Sequence, residues 1–344
     1  MWPKQFLNIT LPASDLFNVE RIRSTKIVIL FLSLFFICFS AGAQDNEAYS
    51  FYYNPVQSNP ALAGTQDMGM LRLNYRDYYP GRGLDLHSVF LSYDTFLKPV
   101  HGGVGIYISD NILGPLINEF RTGAAYSYHL RATKEIYINA GFMASLINRS
   151  VKTGNIILPD QVDPLTGIIS PSAETIAGIS KTVFDAGVGF LVSYRDYHAG
   201  FTINHLFRPY LNANNDPGSR LGRRYSVHGS AAFVSENNKL RVEPAFFVSA
   251  QDQLILLSAG ASVSYKGLSV NALPFYAFSY DFAFLQTGIS YDTGRMEFAY
   301  NYNFNPFSRD KIRPFTLSNQ ISVIISLNNV EKRDIIKAIK YPKL

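Results

Sequence analysis

The sequence is poor in cysteine, in tryptophan and in charged residues. Its 344 residues include one cysteine, Cys38, and one tryptophan. A single cysteine cannot form an internal disulfide or a thiolate metal site. Lipid attachment at Cys38 would need a small residue directly before the cysteine. The residue there is Ile37, so we do not expect Cys38 to carry a lipid. Charged residues make up 17% of the chain, against roughly a quarter in typical soluble domains.

After residue 43 the sequence also lacks any apolar run of the roughly 18 residues that a membrane-spanning helix requires. The long apolar run Ile27–Ser40 follows a basic segment and ends at the small residues Ala41–Ala43. This order is typical of a secretory signal peptide. We therefore predict a signal peptide over residues 1–43, cleaved before Gln44. Residues 1–20 are then either part of a long n-region or the result of a start codon placed too early.

The net charge of +5 lies at the two ends of the chain. Residues 1–43 hold four basic and two acidic residues, and residues 328–344 hold five basic and two acidic residues. Residues 44–327 are therefore neutral. A nucleic-acid-binding domain would carry a basic stripe on its folded surface, so we expect no nucleic-acid partner.

Strict alternation of apolar and polar residues is the strongest signal in the mature chain, and it predicts β-strands. Between residues 117 and 131, for example, Phe120 and Tyr126 share one face, and Glu119 and Arg121 share the other. Most such segments reach about ten residues, the length a tilted strand needs to cross a bilayer. The predicted strands span about 68–79, 85–97, 102–110, 117–131, 134–150, 183–194, 197–207, 224–235, 238–250, 253–265, 267–278, 281–291, 294–304 and 316–327.

The alternation predicts an all-β fold, a transmembrane antiparallel β-barrel of about 14 strands over residues 67–328. Its outer surface would face lipid, and its interior would be wet and lined by small polar residues. A soluble β-sandwich is the alternative, but its strands are usually about 5–6 residues long and its surface carries more charge. Pro274 cannot donate to a ladder and predicts a bulge or kink in the strand 267–278.

The connections between the predicted strands support the barrel. The two longest, Lys152–Thr182 and Leu206–Arg223, are the fifth and seventh, so an even number of strands directs both outward. The intervening turns are short, and bacterial barrels show this asymmetry between long outer loops and short periplasmic turns.

Two sequence elements near the start of the mature chain resemble a known family. Tyr52–Thr65 reads YYNPVQSNPALAGT, and Tyr75–Pro80 reads YRDYYP. The pair resembles the opening of the PorP/SprF family of the Bacteroidota type IX secretion system, in which an Asn-Pro-Ala-x-Ala-Gly element precedes a Tyr-Arg-x-x-Trp strand. Tyr79 or its neighbour replaces the tryptophan here. The matching residues are Asn59, Pro60, Ala61, Ala63, Gly64, Tyr75 and Arg76.

The resemblance implies an outer-membrane barrel that works with type IX secretion and gliding machinery. Some members of the family assist export or surface anchoring of a large adhesin through the C-terminal domain of that adhesin. Others associate with periplasmic components of the secretion system. Expected partners are therefore outer-membrane lipid, a secreted adhesin and periplasmic type IX components. A diffusion channel or transporter for hydrophobic solutes is the alternative function.

Polar side chains on the inward face of the predicted strands are candidate functional residues. Buried charges must be paired or hydrated, so a paired network inside the lumen is expected, with a transport or catalytic site as the alternative. The six histidines show no metal-binding spacing, and nothing ties a serine to a histidine. We therefore expect no metal, no cofactor and no enzymatic activity. The predicted lumen-facing residues are Arg72, Asn74, Arg76, Glu119, Arg121, His129, Glu243 and Glu297.

Two segments flank the predicted barrel. Residues 44–66, with Asn54-Pro55 and Asn59-Pro60 as turn formers, are either tucked into the barrel or its periplasmic rim, or a simple lead-in to the first strand. Residues 329–344 form a basic tail, in which the spacing of Ile335, Ile336 and Ile339 is helical. The tail either docks on a periplasmic partner or the inner leaflet, or is frayed.

Overall fold

The computed structural model describes nine ranges of the chain between residues 52 and 327. The predicted signal peptide, most of the connection after Lys152 and the basic tail lie outside them. The described residues are 52–66, 68–81, 85–152, 179–212, 214–215, 217–235, 239–278, 282–306 and 317–327.

These residues form fifteen strands in one antiparallel sheet. The strands are β1 (Gly69–Tyr78), β2 (Leu86–Leu97), β3 (Gly102–Leu113), β4 (Ile117–Arg131), β5 (Ile136–Val151), β6 (Ile179–Tyr194), β7 (Tyr197–Asn204), β8 (Arg224–Ala231), β9 (Phe233–Val234), β10 (Leu240–Gln251), β11 (Leu254–Tyr265), β12 (Leu268–Ala277), β13 (Phe282–Asp292), β14 (Met296–Phe304) and β15 (Ser318–Leu327).

The sheet closes on itself. The first strand pairs with the last, from Gly69↔Leu327 to Tyr78↔Ser318, so neither has an open edge along this seam. Strands β8 and β9 are two parts of one strand, because both pair with β10 in the same register. Pro244 of β10 lies opposite their junction and has no N–H to donate. The wall therefore has fourteen strands, and the predicted closed antiparallel barrel is confirmed.

Pro274, in β12, disturbs the hydrogen-bond ladder less than we predicted. Ser258↔Phe275 and Ala261↔Ala272 keep one register between β11 and β12, so no residue is inserted and the predicted bulge is wrong. Pairing with β11 lapses beside Pro274, whereas Pro274↔Leu285 maintains the pairing with β13. A missing donor on one side thus interrupts one ladder without shifting it.

Burial alternates along nearly every strand, as expected for a wall with two different faces. Large apolar side chains point outward; Ile106 is 59% exposed and Phe142 is 50% exposed. Closure pairs the backbone groups along most of the wall, and the outer surface is compatible with hydrocarbon. Among the described residues, no helix has the length and apolar character to cross a membrane.

The two ends of the barrel differ in the length of their connections. The two longest, between β5 and β6 and between β7 and β8, follow odd-numbered strands of the wall and lie at the same end. The turns at the opposite end are short, such as residues 195–196 and 266–267. Bacterial barrels direct their long loops outward, so we call the first end the outer end and the second the inner end.

The outward face gives a test of membrane insertion that depends on depth. We expect Phe142→Arg, near the middle of β5, to lower the free energy of unfolding by about 2–4 kcal/mol. Leu130→Arg lies near the inner end of β4 and should cost about 0–1 kcal/mol, because its charge reaches the interface. Denaturant unfolding in lipid vesicles measures both. Equal costs would contradict the assignment of this face to lipid.

Candidate functional site

The segment that carries the family motif lies inside the barrel. Every residue from Tyr52 to Thr65, which we call the lumenal segment, is buried. It contains a short helix, α1 (Pro55–Ser58), and a 3₁₀ turn (Pro60–Leu62), each beginning with a proline whose fixed φ suits a first helical position. The Oδ1 atom of Asn59 accepts a hydrogen bond from Ala61 N at 2.9 Å and caps the second turn.

Polar side chains of the wall bind the backbone of the lumenal segment. Asn74 donates to Tyr53 O at 3.0 Å, on the side of β1. Ser127 and Asn139, from β4 and β5, both donate to Ala61 O, at 3.1 and 3.3 Å. A buried carbonyl needs such partners because no water reaches it. Further contacts are Asn204 Nδ2 to Ser58 O at 3.4 Å and His129 Nε2 to Ala63 O at 3.2 Å.

Asn59 is the most enclosed polar residue of the lumenal segment, with 0% of its surface exposed. Its amide nitrogen lies 2.9 Å from Nε2 of His228 and donates to Phe190 O at 3.3 Å. A side-chain carbon at Gly189 would overlap Oδ1 of Asn59, and one at Gly200 would overlap the His228 ring. The wall thus has glycines where the asparagine and its histidine partner need space.

Glycines at inward positions of two further strands accommodate the backbone of the segment. A Cβ atom at Gly103 would overlap the carbonyl of Ala63, and one at Gly141 would overlap the peptide between Pro60 and Ala61. Gly64 itself has φ of +61° and lies against the backbone of Thr95. Only glycine adopts that conformation without strain, and only a residue without a Cβ atom allows the backbones of Gly64 and Thr95 to lie this close.

A buried ion pair joins the end of the lumenal segment to the wall. Asp94 of β2 forms a salt bridge with Arg72 of β1, and both side chains are buried. The second carboxylate oxygen of Asp94 accepts from Gly64 N at 2.8 Å. One carboxylate therefore satisfies both a wall cation and a backbone donor of the motif, in a place where neither has much access to solvent.

Most of the predicted lumen-facing residues are buried on the inside of the wall. Arg72, Asn74, Arg76, Glu119, Arg121, His129 and Glu243 are buried, and Glu297 is partly buried. Glu119 contacts both Arg121 and Arg149, which makes a three-residue charge network near the outer end. Arg76 donates to Gln320 at 2.9 Å, Glu243 pairs with Arg241, and Glu297 accepts from Ser290 at 2.8 Å.

The motif residues do not all lie at one place. Asn59, Pro60, Ala61, Ala63 and Gly64 belong to the lumenal segment, and Arg76 points into the lumen. Tyr75 is 43% exposed on the outer face of β1. It belongs to the lipid-facing surface, so its side chain makes no contribution to the interior of the barrel.

Part of the lumen is apolar, which the sequence did not lead us to expect. Tyr52 packs with large inward side chains of β10 to β13, including Phe247, Phe275 and Phe284. The rings of Phe275 and Phe284 stack with their centroids 4.7 Å apart. A water-filled channel has a polar interior, so the prediction of a uniformly wet, small-residue lumen is wrong on this side of the barrel.

Carboxylates at both ends of the barrel lie near basic side chains. At the inner end Arg195 donates to Glu135 at 2.8 Å, which lowers the pKa of that exposed carboxyl. At the outer end, burial raises the pKa of Asp252, while the nearby Arg208 and His205 act in the opposite direction.

The described residues contain no group of three or more metal-ligating side chains.

A closed fourteen-strand wall with an apolar outer surface defines an outer-membrane β-barrel. A family model for the type IX secretion system membrane protein PorP/SprF matches residues 40–315. The chain belongs to the PorP/SprF family, and the resemblance found in residues 52–80 is confirmed.

Solved barrels resemble the chain only in outline. The toluene transporter TodX of P. putida shares 14% identity over 80% of this chain and 93% of its own, with a TM-score of 0.44. Omp33 of Acinetobacter baumannii shares 8% over 77% and 100%, with a TM-score of 0.41. The KdgM porin shares 10% over 75% and 99%, with a TM-score of 0.36. No curated protein matches the sequence.

Proposed function

We propose that this barrel assists the export or surface anchoring of a secreted adhesin, by contact with the C-terminal domain of that adhesin. Membership of a type IX secretion family carries the proposal. The outer connections Lys152–Thr182 and Leu206–Arg223 would meet the adhesin. The short inner turns and the basic tail 329–344 would meet periplasmic components of the secretion system. The lipid-facing wall anchors the protein, and no catalytic step is involved.

The contents of the lumen favour a partner-binding function over a diffusion channel. The lumenal segment is held from several sides by the wall, through Asn74, Ser127, Asn139 and Asn204. Aromatic side chains of β10, β12 and β13 occupy the opposite side. A pore for solutes needs a continuous wet path, and both the lumenal segment and these aromatic side chains occupy space inside the barrel that such a path would use.

Deletion of the gene tests the proposal in cells. We expect the surface amount of one or more type IX-secreted adhesins to fall, and crosslinked affinity capture from the native envelope to recover that adhesin or periplasmic type IX components. Complementation with the full-length gene is the control. Unchanged surface adhesins and capture of neither partner would contradict the proposal.

Planar-bilayer recording separates the proposal from the channel alternative. We expect the purified barrel to show no stable ion conductance. A steady conductance, combined with normal adhesin export in the deletion strain, would favour a diffusion channel instead.

A further inference from the structure

The connection between β7 and β8 is a hairpin of its own at the outer end of the barrel. Tyr210 forms an antiparallel bridge with Arg220, and Leu221 N donates to Pro209 O at 2.9 Å. The two arms of this connection therefore run side by side. We call it the outer hairpin, and its described residues are 205–212, 214–215 and 217–223.

Polar contacts join the outer hairpin to β6 at two levels. At the start of the hairpin, Nδ1 of His205 lies 2.6 Å from Oδ2 of Asp185, and both side chains are buried. Farther along, Nζ of Lys181 donates to Asn212 O at 2.6 Å. Lys181 and Asp185 are four residues apart on one strand, so both point to the same face of the sheet. That face is the lumen, because Asp185 is buried and its neighbour Phe184 is exposed on the outer surface.

An apolar contact lies between these two polar contacts. Leu211 and Leu221, one from each arm of the outer hairpin, cluster with Ile147 of β5, and Val183 of β6 packs against them. Ile147 and Val183 are cross-strand partners at inward positions. Leu211 is 4% exposed and Leu221 is 1% exposed. The outer hairpin therefore covers the lumenal face of β5 and β6 and does not simply project from the rim.

The outer hairpin lies outward of the lumenal segment along the same strand. Met143 of β5 belongs to the apolar cluster that contains Val56 of the lumenal segment, and Ile147 of β5 contacts the hairpin. The one inward residue of β5 between them is Ser145, which is buried. At about 3.3 Å per residue, Met143 and Ile147 are about 13 Å apart. Beside β5 the lumen is thus filled by two successive layers, the lumenal segment and then the hairpin.

The base of the outer hairpin is strained. His205 has φ of +59° and Arg208 has φ of +49°, a region that side chains other than glycine rarely adopt. Both follow Asn204, the last residue of β7. The second arm is held by Gln251, which donates to Gly222 O at 3.1 Å. The contacts of the hairpin with the wall must offset the strain, so loss of one contact shifts the balance towards release.

We propose that the outer hairpin is a lid over the lumen. In the closed position it blocks the way from the cell surface to the lumenal segment along β5 and β6. In the open position it moves away from Ile147 and Val183 and exposes the inward face of both strands. Its described residues contribute no strand to the wall, so it opens about its base without breaking the barrel ladder. The lid goes beyond the proposed function and depends on neither an adhesin nor a periplasmic partner.

A cysteine beneath the lid measures its opening. The sequence has no cysteine after Cys38, so Ser145→Cys supplies a single thiol of nearly the same size as the serine side chain. We expect a water-soluble maleimide to label it slowly in the purified mature barrel in detergent. Adding Leu221→Ala should raise the labelling rate at least about 25-fold, because the apolar contact that closes the lid is lost. Asn214→Ala, at an exposed position of the same hairpin, is the control and should leave the rate unchanged.

A second variant tests the polar contact. Lys181→Met removes the bond to Asn212 O but keeps most of the aliphatic stem, so the labelling rate of Ser145→Cys should rise about 2- to 10-fold. Lys134→Met makes the same substitution at an exposed position of an inner turn and should have no effect.

A reporter on the opposite side of the lumen separates lid opening from loosening of the whole barrel. Ser258, on β11, is 1% exposed, and Ser258→Cys should label slowly with and without Leu221→Ala. An equal rise at both cysteines would mean that the barrel itself loosens. Fast labelling of Ser145→Cys before any further change would show that the hairpin does not cover β5. A slow rate that neither Leu221→Ala nor Lys181→Met raises would show that the hairpin is not the cover. Each of these three outcomes overturns the proposal.

Discussion

Gly141→Leu is expected to release the lumenal segment from the wall more often while the barrel stays folded. A side chain at position 141 would overlap the peptide between Pro60 and Ala61, and neither can withdraw without breaking the hydrogen bonds of Ala61 O. Overpacking of this kind costs about 1–3 kcal/mol, so the population with the segment released should rise by a factor of about 5 to 100. The ladder of β5 does not depend on this side chain.

Labelling of a cysteine placed in the segment measures the release. The sequence has no cysteine after Cys38, so Ser58→Cys supplies a single site for a water-soluble maleimide. We expect slow labelling in the otherwise unchanged barrel and faster labelling when Gly141→Leu is added. Ala140→Leu, on the lipid-facing side of the same strand, is the control and should have no effect. Equally slow labelling with Gly141→Leu would show that the segment does not pack against β5.

Asp94→Ala is expected to cause the largest loss of stability from a single polar residue. Asp94 is 1% exposed and both pairs with Arg72 and accepts from Gly64 N. Removing it leaves the Arg72 guanidinium buried without its carboxylate, and breaking such a pair costs about 3–5 kcal/mol. The free energy of unfolding, from denaturant titration in lipid vesicles, should fall by that amount.

Two further variants isolate the cause. In Arg72→Met/Asp94→Ala the cation of this pair is removed as well, so the double variant should be more stable than Asp94→Ala alone. Asp110→Ala removes a partly buried carboxylate that accepts from Asn118 at 2.8 Å, and should cost only about 1 kcal/mol. If Asp94→Ala and Asp110→Ala cost the same, the buried ion pair does not stabilise the barrel as described.

The fold could be predicted because its main determinant is local. A strand with one face in lipid and one in the lumen must alternate, and the residues of β4 alternate along most of its length. The prolines were harder to interpret, because the effect of a missing N–H depends on which neighbour it faces. Pro274 and Pro244 each interrupt one ladder and leave the register unchanged.

The site could be predicted only in part, because its contacts join distant parts of the chain. Alternation indicated that Arg72 and Asn74 face inward, but not that Asp94 and His228 would meet the lumenal segment. One available signal was not used: Gly103, Gly141 and Gly189 occupy inward positions of three strands. Inward glycines on several strands indicate a close approach of backbone. The apolar side of the lumen gave no such signal, since Phe275 and Phe284 could equally have faced lipid.

A disulfide between the lumenal segment and the wall tests most directly whether the family motif lies inside the barrel. A Cβ atom at Gly105 would lie 2.9 Å from Cγ1 of Val56, and in a disulfide the Cβ of one cysteine lies about 3 Å from the sulfur of the other. We predict that Val56→Cys/Gly105→Cys oxidises in the folded barrel, and that mass spectrometry of the digested protein finds the two peptides joined. Val56→Cys/Ile106→Cys, with its second cysteine on the lipid face, should remain reduced. Free thiols in the first variant, or equal crosslinking in both, would contradict a motif held in the lumen.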